Sequence, residues 1–228
     1  MNANRVEWNA KHKALRQAMK APIRLEGAKQ LFLELHAPLH ARVVSNDPGW
    51  NLEEELWLGL SEDVFRCVPP GEEQSIAWCL WHLARIEDVT MNLLLGDCAQ
   101  VIQQGDWARR LHSPIQDTGN QITAGGIKTL SDQIAFEDLR NYRSAVGQRS
   151  REIIFQLGSV DIKRKTPPQR LQRCLDEGAV LPNVQGLLDY WGGLTVAGLL
   201  LMPPTRHNLS HLTETLNLKR KAQKVLKK

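Results

Sequence analysis

Ser75-Ile76-Ala77-Trp78-Cys79-Leu80-Trp81-His82-Leu83-Ala84-Arg85-Ile86-Glu87-Asp88 contains no glycine, no proline and no strand-like alternation. At helical spacing Cys79, His82, Ile86, Val89 and Leu93 form one stripe, apolar except for the histidine. The spacing predicts a long helix that follows Pro69–Pro70–Gly71 and runs to about Leu95, where Gly96–Asp97 ends it. His82 then faces the interior. It must find a hydrogen-bond partner or a metal there, because an unsatisfied buried imidazole is costly.

The helical reading extends outward in both directions. Upstream, Leu25, Ala28, Phe32, Leu35 and Leu39 recur at three- and four-residue spacing and predict a helix from Ile23 to Val44, stopped by Asp47–Pro48–Gly49. Asn51 and Glu54 read as an N-cap and its reciprocal partner, opening a short helix through Leu60. Downstream, a loop rich in Gly, Asp and Thr occupies 105–130, and connections that long are more often functional or mobile than accidental. Ser131 opens a third long helix that reaches Leu157 and stops at Gly158. Thr166–Pro167–Pro168–Gln169 supplies a cap, a proline at the first helical position and a glutamine at the third, so another helix starts there. Pro182 and Asn183 introduce a helix through Leu201, Pro203–Pro204 break it, and a last helix runs from Thr205 to Leu218. No useful strand alternation and no fixed-period repeat occurs. The pattern is that of an all-α bundle, spanning 23–218, with a basic N-terminal extension (1–22) and a basic C-terminal tail (219–228).

Composition narrows the function classes. With 228 residues and 42% hydrophobic content the chain can bury a substantial core, and 24% charged residues favour solubility. The net charge of +4 is unevenly spread. Residues 1–25 carry six Lys/Arg against one acid, and 219–228 carry six Lys/Arg and no acid, which leaves 17 basic against 24 acidic residues between them. An acidic body offers no duplex-sized electrostatic footprint, so nucleic acid is an unlikely partner. The run Lys219–Arg220–Lys221 reads chiefly as a frayed, solvated tail. Cys67, Cys79, Cys98 and Cys174 lack CxxC spacing, which excludes a disulfide scaffold and a cysteine zinc site and fits reduced thiols. No secretory signal pattern opens the chain, and its most apolar stretch, Gly192 to Met202, is too short to cross a bilayer. A cytoplasmic location without membrane contact is expected.

Several chemical motifs can be set aside. Gly125–Gly126–Ile127–Lys128–Thr129 lacks the adjacent Gly-Lys and the preceding strand of a phosphate loop. The seven tryptophans, Trp78 and Trp81 among them, read as core or rim residues. The histidines are different. Two pairs stand four residues apart on predicted helices, His36/His40 and His207/His211. That spacing projects both imidazoles from one face, where they can reach one metal and leave a third position to another helix, such as that of His82. Two readings of the last helix stay open. His207, His211, Glu214 and Leu218 share a face opposite Leu209, Leu212 and Leu216; that face either lines an internal site or is the wet side of an amphipathic helix, and periodicity favours the wet side.

The segment Ser75–Asp88 resembles the second-helix motif of the DinB/YfiT-like metalloprotein superfamily, and Arg206-His207-Asn208-Leu209-Ser210-His211-Leu212-Thr213-Glu214 resembles its C-terminal HxxxH element. The resemblance implies a four-helix bundle, here with additional short helices, and a divalent metal held by His82, His207 and His211. Where relatives commonly end in HHxGQ, Leu212 follows His211 and Glu214 stands near the usual glutamine, which bears on the surroundings of the site. His36 and His40 are left as polar core or surface residues, or one as a fourth ligand or proton carrier; Glu87 and Glu214 are placed to hold a ligand's second nitrogen or to form a surface ion pair. Three neutral ligands leave a metal its charge and an open position, the arrangement of a catalytic site. Zinc, nickel and iron all accept imidazole. By resemblance the expected activity is transfer of a low-molecular-weight thiol to an electrophilic small-molecule substrate. A metal-hydroxide hydrolase and a non-catalytic, stress-linked metal-binding bundle are the alternatives, and a homodimer is expected because bundles of this kind often pair.

Overall fold

A computed structural model of the chain describes residues 3–21 and 24–227, and its regular elements are helical. Among the described residues the one extended pairing is an isolated bridge between Lys165 and Thr195. The chain is all-α, as its periodicity predicts.

Twelve α-helices among the described residues position the site. The first, α1 (Ala3–Ala18), lies in the basic N-terminal stretch; it buries Trp8, His12 and Leu15, and Trp8 Nε1–H donates to the Leu35 carbonyl at 2.9 Å. α2 (Leu25–His36) is shorter than its sequence suggests, and the predicted start at Ile23 lies outside the described residues. Past His36 only 3-10 turns continue, over Ala37–Leu39 and Arg42–Val44, because Pro38 has no N–H for the helical ladder. Asn51 accepts the Glu54 N–H and caps α3 (Leu52–Trp57). The Glu54 carboxylate does not reach back; it accepts from the Arg42 N–H and from Arg140.

α4 (Glu62–Arg66) leads to α5 (Ile76–Asp88), in which every residue is buried. The Ser75 hydroxyl caps α5 by accepting the Trp78 N–H, so the helix starts there rather than directly after Gly71. It runs on as a π-helical stretch, Val89–Gly96, and ends at Asp97, in the left-handed region. The expected 105–130 loop contains α6 (Trp107–Arg110) and the start of α7 (Ala124–Gln133). Ser131 lies inside α7 and its hydroxyl meets that of Ser75, so the third long helix, α8 (Phe136–Gln156), begins later than Ser131. α9 (Pro168–Asp176), α10 (Gln185–Gly193) and α11 (Val196–Leu201) follow.

Pro203–Pro204 do not break the chain's helical course. They sit in a π turn, Met202–His207, that runs directly into α12 (Asn208–Leu226). Two prolines in a row give no N–H to the carbonyls before them, and side chains replace the missing donors. The Thr205 hydroxyl donates to Leu200 O at 2.9 Å, and the His12 ring of α1 donates through Nε2 to Leu201 O at 2.9 Å. α12 also passes Leu218. Lys219 is buried and its Nζ donates to the carbonyls of Leu56 (2.8 Å) and Leu58 (2.6 Å) at the end of α3, and Ala222 is buried. The basic run therefore opens with an anchored lysine, where a frayed tail was expected. α5 is central, packed against α8 and α12, while α1 packs on α2.

Candidate metal centre

α5 and the junction of α11 with α12 bring three histidines together. His82 lies in the middle of α5, His207 closes the π turn, and His211 follows one helical turn later on α12. One ring nitrogen from each lies within 4.8 Å of the others. The ring centroids are 4.5 Å apart for His207–His211, 5.1 Å for His82–His207 and 5.4 Å for His82–His211. His207 and His211 thus line an open pocket, while Leu209 and Leu212 are buried in the core. Periodicity alone pointed to water.

The His82 ring is fixed from two sides. It stacks on Trp78 at 5.0 Å and 6° between planes, and Nδ1–H donates to the Thr118 carbonyl at 2.7 Å. That donation puts the proton on Nδ1 and leaves the Nε2 lone pair free. His82 Nε2 stands 3.2 Å from His207 Nε2. Nitrogens that ligate one tetrahedral ion at 2.0–2.1 Å are separated by about 3.3 Å, so the donor set fits a divalent cation. His207 Nδ1 and His211 Nδ1 are buried without a hydrogen-bond partner. Glu214 Oε2 lies 2.8 Å from His211 Nδ1, close in distance but off the line of a hydrogen bond. Burial pushes His82 down to about 4, against the Thr118 carbonyl and with the help of His211. Burial also holds His207 well below the usual imidazole range, with His82 and His211 adding to it. Neutral imidazole is the ligating form.

The loop of residues 116–119 reads one face of α5. Its successive carbonyls accept from Arg85 Nε (Gln116 O, 2.9 Å), Trp81 Nε1 (Asp117 O, 3.1 Å), His82 Nδ1 (Thr118 O, 2.7 Å) and Trp78 Nε1 (Gly119 O, 3.3 Å). Four side-chain donors at helical spacing thus hold a row of consecutive carbonyl acceptors, and the acceptors set the ring planes. Gly119 takes φ +74°, and a Cβ there would stand 3.0 Å from Trp78 Nε1. The long loop was legible in the sequence, but this contact was not; the only signal was the run of donor-bearing side chains on one face.

A pocket of about 360 Å³ opens beside the three histidines. A larger groove, about 940 Å³, is bordered by Arg66, Cys67 and Lys128 and holds none of them.

His36 and His40 converge on Glu87. Oε1 of Glu87 accepts from His36 Nε2 (2.8 Å) and the Ser150 hydroxyl (2.6 Å); Oε2 accepts from His40 Nε2 (3.0 Å) and Asn208 Nδ2 (2.5 Å). The two rings stack at 4.2 Å. These three groups are close enough to hold an ion, but the cluster is already complete. Freeing both Nε2 atoms for an ion would break the two bonds that they donate to the buried Glu87 carboxylate. Burial pushes His36 down to about 4, with His40 adding and Glu87 opposing. Burial alone would raise the Glu87 carboxyl, but His40 and His36 outweigh it and hold it well below the usual range. Glu87 therefore ties α2, α8 and α12 to α5, and it is not a partner for a nitrogen of the three-histidine cluster.

Fold and site together define a helical protein with three imidazoles converging beside a pocket. A family model of the DinB superfamily matches residues 47–184, and the chain belongs to that superfamily. The matched region includes His82 and the 116–119 loop and ends before His207 and His211. No curated protein matches the chain. Among the described residues no helix is long and apolar enough to cross a membrane.

Proposed function

We propose that His82, His207 and His211 hold one divalent metal ion, and that the chain is a metal-dependent enzyme that transfers a low-molecular-weight thiol to an electrophilic substrate. The 3.2 Å approach of His82 Nε2 to His207 Nε2, with His211 beside them, carries the metal reading. Without a metal, His207 Nε2–H can donate to the free His82 Nε2 lone pair, which uses two of the three nitrogens; a cation uses all three, His211 included. Bound there, a divalent ion supplies the Lewis acidity that holds a thiol as thiolate near neutral pH. Thr118 keeps the His82 proton on Nδ1, Trp78 keeps its ring in plane, and the pocket beside the histidines offers mostly apolar walls to a substrate. Superfamily membership supports the metal reading, and the transferase reading goes a step beyond it. We read α2, α5, α8 and α12 as the four-helix bundle of that superfamily, with the other helices built around it.

Elemental analysis of untagged wild type, His82→Ala and His211→Ala tests the site. Close to one equivalent of metal in wild type, lost in both variants, is the expected result. Wild type that stays metal-free after loading with zinc, nickel and iron overturns the reading. Turnover that requires added thiol is then expected; turnover without thiol would replace transfer by hydrolysis.

A further inference from the structure

The pocket beside the histidines has a chemical character of its own. Trp78, Tyr190 and Trp191 supply aromatic walls, Ile86, Leu187 and Met202 aliphatic ones, and no Lys, Arg, Asp or Glu lines it. Nearby arginines are engaged elsewhere. Arg206 turns towards α1, where it donates to Asn9 Oδ1 (2.7 Å) and His12 Nδ1 (3.2 Å) and covers the Trp8 ring. Arg85 is held by Asp88, Gln100 and the Gln116 carbonyl. A carboxylate or phosphate entering the pocket would lose water and meet no cation of the protein.

Size and the polar rim narrow the class further. About 360 Å³ is at the small end of ligand pockets, room for one or two fused rings with short substituents. Asn120 stands on the exposed rim, with its Oδ1 taken by the Thr118 hydroxyl, so its amide N–H groups remain as donors. The walls are preorganised: Trp191 is buried, and Trp78 is pinned by Gly119 O and by its stack on His82.

We propose that this pocket takes an uncharged aromatic small molecule carrying a neutral hydrogen-bond acceptor, its rings between the aromatic walls and its acceptor at Asn120. The inference rests on the functional reading above only in calling that molecule the electrophilic substrate. Any carboxylates of the thiol then stay outside the pocket, in solvent.

2-Naphthamide and 2-naphthoate share a ring system and differ in charge, and they serve as probes. Each is titrated calorimetrically into the full chain, metal-free, at about pH 8, where naphthoate carries its charge and naphthamide none. Naphthamide is expected to saturate one site and to bind roughly tenfold or more tighter than naphthoate. Leu187→Asp, at a half-buried wall position, is expected to weaken naphthamide about fivefold or more while the helical circular dichroism is unchanged. Equal or tighter binding of naphthoate, no saturable binding of naphthamide, or an unaltered Leu187→Asp variant would each overturn the proposal. The titration needs no metal, so the two readings fail separately. Selective naphthamide binding by a protein that takes up no zinc, nickel or iron upholds the pocket and sinks the metal site; one bound metal ion without naphthamide preference does the reverse.

Discussion

Glu87 has each carboxylate oxygen doubly occupied, by His36 and Ser150 on one side and by His40 and Asn208 on the other. Gln has the same shape, but its amide nitrogen is a donor and would face two donors whichever way it turned. Glu87→Gln is therefore expected to lower stability by about 3–5 kcal/mol, the cost of leaving buried polar groups unpaired around a former charge. A urea midpoint unchanged from wild type would show that the carboxylate is not the acceptor described. At this scale the sequence was informative about direction and silent about partner. Placing His82 on an interior stripe required only helical spacing. The partners of Glu87 lie 51, 47, 63 and 121 residues away along the chain, and no local pattern connects them. That is why Glu87 was read as a support for some ligand nitrogen, and His36 and His40 were left without a role.

Gly119 shows how one element sets another. Four consecutive carbonyls, 116–119, lie along the Trp78, Trp81, His82 and Arg85 face of α5, and the turn that closes this contact needs the left-handed backbone that glycine tolerates. Gly119→Ala adds a Cβ at positive φ and 3.0 Å from Trp78 Nε1. The backbone strain alone is about 1–2 kcal/mol. Chemical denaturation should show at least that loss, and metal titration a weakened affinity, since the Thr118 carbonyl that orients His82 belongs to the preceding residue and shares a peptide unit with the Gly119 N–H. Full stability with unaltered affinity would mean that the loop does not position the ring. Some ends that are decided locally were legible: Asn51 caps where a cap residue belongs and Gly96–Asp97 stop the helix they follow, whereas the Ser75 cap went unread beside Pro69–Pro70–Gly71. The junction at Pro203–Pro204 was not, because the donors that let the helix continue come from His12, almost the whole chain away, and from the Thr205 side chain.

Across the whole molecule, the basic ends join the body: α1 supplies His12 to the turn that carries His207, and Lys219 closes the carbonyl end of α3. The interior they help enclose holds several neutral imidazoles, which makes stability depend on pH in a defined direction. His36 has an ordinary value of 6.5 and is pushed down to about 4 in the fold, with His40, Glu87 and Arg151 as the charged or titratable groups acting on it. Between those values the unfolded chain binds a proton at His36 that the folded chain does not. Stability is thus full above about pH 6.5 and falls as pH drops towards about 4, by roughly 3 kcal/mol from this residue. Glu87, held below its ordinary range, acts in the same direction at lower pH, where its protonation removes the acceptor of the hub. Urea midpoints measured from pH 7.5 to 4 are expected to decline for wild type, and for His36→Gln to decline with a slope shallower by up to about 1.4 kcal/mol per pH unit, one proton's worth. The comparison is of slopes, so it survives the lower absolute stability of the variant. Parallel slopes would mean that His36 titrates in the folded protein as it does in the unfolded chain, and that its burial against Glu87 does not keep it neutral.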